Sequence, residues 1–467
     1  MNKIPLSLLA ASFLAGCAVP PPPTAEESLD MALPETTEVR DSYASQQDGE
    51  IGPVPANFIH AFGDPQLDAI VDEALQNNLN LRASASRVEA SAGFVTQAGA
   101  AMKPVVSAAG EAVETGYSGI PQQSSNQIGL GVSWELDIWG KVRAQTAAAE
   151  ADFEAATADY EFARLSLKAQ VAKSWFTGVE TFKQVAYAQE VVELYAKTLD
   201  IVNTKHEFGE IGMKEVHLAR ADLSSAKERL RQATGAHEVA LRSLEVLLSR
   251  YPSAELQVAE EFVAVPPAIP VGLPSELIER RPDLVAAERR VAASFNLTTA
   301  AKAARLPSIG LTAGGGAVNN QMTSLLGSGS SFWNVGANFL APIYSGGALQ
   351  AQVEIQTAQQ EAALADYGQK ALVAFGEVET ALSNETILRQ REELLDAIVE
   401  DNERALELAN TQFENGDIEL LDVLQMQARV VNAKVAQISI RNARLAERIN
   451  LHLALGGDFN SEQSTTE

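Results

Sequence analysis

Cysteine is almost absent from this chain, whose 467 residues contain one, Cys17. A single thiol excludes an internal disulfide framework and any cysteine-built metal cage. Aromatic residues are scarce at 6% while the hydrophobic total is 46%, so a packed core must rest on small aliphatic side chains, alanine and leucine foremost. Positive charge is in deficit: 35 Lys and Arg face 61 Asp and Glu, a net charge of −26. Such a surface repels phosphate backbones and argues against nucleic acid as a partner. Beyond the N-terminus no run approaches the roughly 20 apolar residues of a membrane-crossing helix, so any spanning part must be made of strands. Chemistry is lacking as well. His60, His206, His217, His237 and His452 show no metal-ligand spacing, and Gly314-Gly315-Gly316 has no Lys/Ser helix start behind it to make a phosphate cradle. No serine sits in a nucleophile elbow. The expectation is a protein that is not an enzyme, with no catalytic residue, cofactor or metal.

What is present begins with one charge, Lys3, and an apolar run from Ile4 to Leu14 that closes on Leu14-Ala15-Gly16-Cys17. The run is too short to span a bilayer, and its small-residue end marks a cleavage site, so residues 1–16 read as an export signal. Cys17 there resembles the acceptor of a bacterial lipobox, which implies acylation and attachment to a membrane surface. Ala18, rather than Asp, implies sorting to the outer membrane. Residues 17–57, opening on Pro20 to Pro23, read as an extended tether without a core of its own.

The remainder is written twice. Arg87-Val88-Glu89-Ala90-Ser91 is echoed by Arg290-Val291-Ala292-Ala293-Ser294, and the helix break at Pro104 by Pro307. The first repeat is placed at 58–251, with strands at about 104–114 and 127–137 and helices at about 141–206 and 213–250. The second is placed at 275–457, with strands at about 307–317 and 333–342 and helices at about 348–413 and 420–455. A Pro-rich crossover, 252–274, joins them, and 458–467 is a polar tail. Ile128, Leu130, Val132, Trp134 and Leu136 alternate with polar or tiny residues, as a strand with two unlike faces requires. Alternation alone fits a soluble sheet with one buried face equally well; an exported, lipid-tethered chain has a membrane at hand. Four strands cannot close a spanning barrel, which needs about eight, so spanning strands oblige the chain to share its barrel with copies of itself. The stretches Gly116 to Asn126 and Val318 to Ser331 are expected as polar surface loops. Each long helix is free of proline and, at 1.5 Å per residue, about 100 Å long, with a coiled-coil seam at Phe162, Leu165, Ala169, Ala172, Phe176 and Val179.

Both long helices end in the same grammar. His206-Glu207-Phe208-Gly209-Glu210-Ile211-Gly212-Met213-Lys214-Glu215-Val216 and Phe413-Glu414-Asn415-Gly416-Asp417-Ile418-Glu419-Leu420-Leu421-Asp422-Val423 each carry Glu two residues before Gly and an acid-Val pair six after it. Each reads as the tip of a helical hairpin, its Gly in the left-handed region.

Taken with these features, Phe62-Gly63-Asp64-Pro65-Gln66-Leu67, Trp134-Glu135-Leu136-Asp137-Ile138-Trp139-Gly140, Glu279-Arg280-Arg281-Pro282-Asp283-Leu284, Leu306-Pro307-Ser308-Ile309 and Pro342-Ile343-Tyr344-Ser345-Gly346-Gly347 resemble outer-membrane efflux lipoproteins of the TolC family, in its NodT/OprM-like branch. The resemblance implies a mainly α, internally duplicated chain with a transmembrane β-barrel part. In it, four strands per chain build a trimeric, twelve-stranded barrel in outer-membrane lipid, and long helices continue this barrel as a periplasmic tunnel. It implies an efflux conduit for small molecules, with a periplasmic adaptor and an inner-membrane resistance-nodulation-division pump as partners. It also implies a periplasmic aperture at the turns, with Asp422 an acidic lining residue, Glu215 its counterpart beside Gly209, and Phe413, next to Gly416, holding the tip helices together. Three copies of Asp422 near a symmetry axis would repel one another and attract cations. Gln425 stands where TolC-like members carry a second Asp, and Ile418 where some carry Arg, so the closing linkage is expected to differ. A channel for protein secretion and a periplasmic adaptor lipoprotein are the competing readings; matched strand hairpins and duplication argue against the adaptor.

Overall fold

The computed structural model describes residues 20–34, 36–37, 39–45, 58–267, 269, 274–325, 327 and 331–457. Cys17 and residues 1–16, expected as an export signal, lie outside the described residues.

The first described element is a short helix, α1 (Ala25–Ala32), followed by α2 (Pro65–Asn77) and α3 (Leu79–Ala100). A hairpin, β1 (Val105–Tyr117) and β2 (Ile120–Leu136), leads into α4 (Lys141–Glu207) and α5 (Met213–Leu247). After the crossover the order recurs: α6 (Pro274–Arg280), α7 (Pro282–Ala303), β3 (Ser308–Asn319), β4 (Ser331–Leu340), α8 (Ala348–Asn415) and α9 (Leu420–Ala454). The two long helices contain 67 and 68 residues, each about 100 Å by the α-helical rise. None of the described helices is long and apolar enough to cross a membrane.

The duplication does not define the compact units. One unit combines residues up to 37 with 86–158 and 283–370; the other combines 38–85 with 159–282 and 371–467. Each therefore draws on both halves of the sequence.

In the first unit the four strands form one antiparallel sheet in the order β1-β2-β3-β4. Register sorts the side chains. Val106 pairs with Val132, which pairs with Ala313, which pairs with Val335, so these share a face with the neighbouring rows Ala108, Leu130, Gly315, Trp333 and Trp134, Leu311, Ala337. The alternate rows, Ser107-Gly131-Gly314-Asn334 and Ser133-Thr312-Gly336, place small and polar residues on the opposite face. Asn334 and Asn338 fold over Gly314 and Gly310, where a Cβ would fall 2.6 and 2.4 Å from their amide oxygens. The apolar face is open in a single chain: Trp333 is 79% and Val335 75% exposed.

The stretch Gly116 to Asn126, expected as a loop, is mostly strand: β1 and β2 continue to a tight turn at Ser118-Gly119, where Gly119 has φ +86°. Its polar residues satisfy the ladder as readily as apolar ones, because the main chain supplies the hydrogen bonds. Below the sheet, Trp139 Nε1 donates to Pro307 O at 2.6 Å and Trp134 Nε1 to Met102 O at 3.0 Å. Asp137 accepts from the Val142 and Arg143 N–H groups and caps α4. Burial would raise its carboxyl, but these donors and the Arg143 side chain hold it below the ordinary range. The helices then pack through alanine, with Ala148 and Ala151 against Ala292 and Ala293, and Ala155 and Ala158 against Ala286. Helix α1 is closed by a Thr24/Glu27 capping box and lies against α8, where Tyr367 Oη donates to Ala25 O and Gly368 leaves room for Ala32.

In the second unit, Asp64 caps α2 through the Gln66 and Leu67 N–H groups and accepts Trp175 Nε1 at 2.9 Å, which ties the start of α2 to α4. Phe62 leans on Phe176, and Phe58 stacks on His452. The seam residues Leu165, Ala169, Ala172, Phe176 and Val179 are buried and Phe162 is half-buried, and Ala371, Ala374, Val378 and Ala381 on α8 are buried as well. Glu245 is buried and accepts the three consecutive N–H groups of Ala254, Glu255 and Leu256 at 2.7, 2.9 and 3.1 Å. That cradle pins the crossover, so Val258 can pack against Gly178. The tether contributes too: Tyr43 is buried, and Ala44 and Ser45 donate their N–H groups to Glu379.

Candidate functional site: the twin turns

The ends of α4 and α8 are built alike. Gly209 and Gly416 have φ +78° and +82°, conformations costly for any residue with a Cβ. Gly209 N–H bonds His206 O and Glu210 N–H bonds Lys205 O; Gly416 N–H bonds Phe413 O and Asp417 N–H bonds Gln412 O. Each pair is a Schellman closure, which satisfies carbonyls the helix end would leave bare. The duplication therefore holds to the level of single hydrogen bonds.

The helices that leave these turns start alike as well. Glu215 and Asp422 both occupy the third position of their helices. The Asp422 carboxylate accepts the Glu419 N–H at 3.2 Å, half of a capping box, and its side chain faces solvent. A hydrogen bond from the Glu215 backbone, together with the Lys214 ammonium 3.3 Å away, holds the Glu215 carboxyl below its usual range. Both acids also oppose the positive end of a helix dipole.

Phe413, 7% exposed, belongs to an apolar cluster with Val202, Val216, Ala219, Leu420, Val423 and Leu424, so α4, α5, α8 and α9 meet through it. Ile418 packs against the same cluster, whereas Gln425 is exposed and has no described bond to another turn residue. Two residues passed over in the sequence act here. Lys205 Nζ donates to Phe413 O at 3.3 Å, stands 5.0 Å from the Phe413 ring centroid and lies 3.5 Å from Glu210. Its signal was legible, a cation in the last turn of a long helix. Gln427, 1% exposed, donates Nε2 to Thr198 Oγ1 at 2.9 Å; a polar residue at a core position of α9 gives no such signal. A cleft of about 470 Å³ lies between the two turns, lined by Lys205, Glu210, Glu215, Phe413, Ile418 and Glu419 among others. Among the described residues no group of three or more His, Cys, Asp or Glu is placed to hold a metal ion.

The family model for outer membrane efflux proteins matches residues 70–250 and 273–457. Over 478 aligned residues, 99% of this chain and 98% of the relative, the sequence is 30% identical to the pyoverdine export outer membrane protein OpmQ of Pseudomonas aeruginosa. It is 28% identical to the toluene efflux pump outer membrane protein TtgC of Pseudomonas putida, over 98% of this chain and 96% of that one. The fold superposes on the open-state structure of the Neisseria gonorrhoeae MtrE outer membrane channel with a TM-score of 0.82 and 27% identity, covering 90% of this chain and 96% of that one. A match on both repeats, a relative aligned end to end and a shared fold lead to one conclusion: the chain belongs to the outer membrane efflux protein family.

Proposed function

We propose that three copies of this chain form a passive conduit for small molecules, set in the outer membrane and fed from an inner-membrane pump through a periplasmic adaptor. The observation that carries the reading is the two-faced sheet with two free edges. Its apolar rows run along β3 from Ile309 to Ala317. At about 3.4 Å per residue that is about 27 Å along the strand, or about 21 Å of membrane depth at a tilt near 40°, comparable with the roughly 25 Å apolar band of outer-membrane barrels. Strands β1 and β4 each leave one edge without a partner in the sheet. Hydrocarbon does not tolerate such edges, and β4 of one copy pairing with β1 of the next removes them all at twelve strands.

On this reading the small, polar rows line the pore. Acylated Cys17 anchors the N-terminus in outer-membrane lipid, and the twin turns form the periplasmic mouth, with Gly209, Glu215, Phe413, Gly416, Asp422 and Gln425 at the aperture. The acidic turns favour cations in the entrance field. The decisive test is purification of the full chain from outer membranes in mild detergent, followed by mass measurement and planar-bilayer recording. A trimer that conducts is expected; a monomer released with the inner membrane overturns the reading in favour of an adaptor.

A further inference from the structure

We infer that Lys205 is the latch of the mouth, tying the two turns of one protomer together. The inference rests on the conduit reading above. Its basis is the set of groups that surround a single ammonium. Phe413 lies in the last turn of α8, where carbonyls lack a helical partner and the helix dipole is negative. One lone pair of its oxygen is taken by Gly416 N–H at 3.1 Å, and Lys205 Nζ takes up the other at 3.3 Å. The same ammonium stands over the Phe413 ring and beside Glu210, and the Lys205 side chain is only 19% exposed. A cation set against a carbonyl, an aromatic face and a carboxylate is held by three attractions at once.

The tie runs one way. The position of the second turn that corresponds to Lys205 is Gln412, which is exposed and whose carbonyl is occupied by Asp417 N–H. The first hairpin therefore supplies the cation, and the second supplies the ring and the carbonyl. Phe413 is a core member of the tip cluster, so its main chain is a firm anchor. To swing α8 and α9 away from α4 and α5, Lys205 must give up both contacts. The duplicated turns share a backbone and divide the locking task between them.

Two measurements test this. In planar bilayers Lys205→Met is expected to raise open probability about tenfold, the size of losing one charge-assisted hydrogen bond, with Lys205→Arg close to wild type. Lys205→Met conducting as the wild type does overturns the latch, while a wild type that does not conduct overturns the conduit reading instead. The second measurement leaves Lys205 in place. Limited acetylation of the folded full chain, read by mass spectrometry, should modify Lys205 several-fold more slowly than Lys214, and Phe413→Ala should bring the two rates together. Equal rates in the unmutated protein overturn the tie, whether or not the channel conducts and whether or not Lys205→Met assembles.

Discussion

Removing the Glu245 carboxylate tests how the crossover between the repeats is held. Three successive N–H groups, of Ala254, Glu255 and Leu256, converge on one buried side chain. A hydrogen bond to a charged acceptor contributes about 1.5–3 kcal/mol, and part of that returns when water reaches the freed donors. Taking about 1 kcal/mol net for each, Glu245→Ala should lower the local stability of this segment by about 3 kcal/mol. If the segment opens locally, its amides should exchange roughly a hundredfold faster. Glu245→Gln keeps an acceptor oxygen but loses the charge, and should give about a tenfold increase. The assay is hydrogen exchange by mass spectrometry on peptides spanning residues 250–258, with β-sheet peptides as the internal reference. Burial alone would raise the Glu245 carboxyl, but the three donors carry it below its ordinary value of 4.5. A depressed folded-state value means the stabilisation is complete above the unfolded value, near 4.5, and fades as pH falls through the folded one. Protection should therefore persist through mild acid. Unchanged exchange in Glu245→Ala would refute the cradle as the source of order in the crossover.

Other outcomes follow from the same structure. Leu130→Arg, on the apolar face of the sheet, should cost about 2–4 kcal/mol in a bilayer and abolish outer-membrane assembly, whereas Ser133→Arg, on the opposite face, should assemble; fractionation on a sucrose gradient separates them. Asp64→Ala removes the cap of α2 and the partner of Trp175 Nε1 together. It should destabilise the second unit by about 2–4 kcal/mol, read from thermal unfolding followed by tryptophan fluorescence. Asp422→Ala removes half of the α9 capping box, worth about 1 kcal/mol, and should raise single-channel conductance while reducing cation selectivity. Unchanged conductance and selectivity would leave Asp422 with a structural role alone.

Much of this fold was legible because its signals are periodic. The proline-free runs after Lys141 and Ala348 fall within a few residues of α4 and α8, and the alternation from Ile128 to Leu136 marks the second half of β2, since period and length are set by local geometry. The turn chemistry was legible as well, glycine being the residue that reaches φ near +80° without strain. What escaped depends on partners distant in sequence. The strand continuing through Gln122 to Ser125 is polar on both faces and is specified only by its neighbour. The tether was expected to lack a core, yet Thr24 and Glu27 make a readable capping box, and Tyr43 finds burial and its neighbours find Glu379, over three hundred residues later. Lys205 is legible only as a cation in the last turn of a long helix; its acceptor is a main-chain oxygen, which no side-chain pattern announces.

The interleaving of both halves in each compact unit carries a consequence for biogenesis. β3, the partner of β2, lies beyond the whole first helical hairpin in the sequence, so it is synthesised long after β2. Until then the first hairpin holds an apolar, half-paired edge, the kind of surface that seeds edge-to-edge aggregation. Neither repeat can close its share of a core alone, so folding must wait for the last third of the chain. A nascent chain of this topology is expected to stay aggregation-prone until β3 covers that edge. Truncations after the first repeat should appear as proteolysed or aggregated material, not as a smaller folded protein.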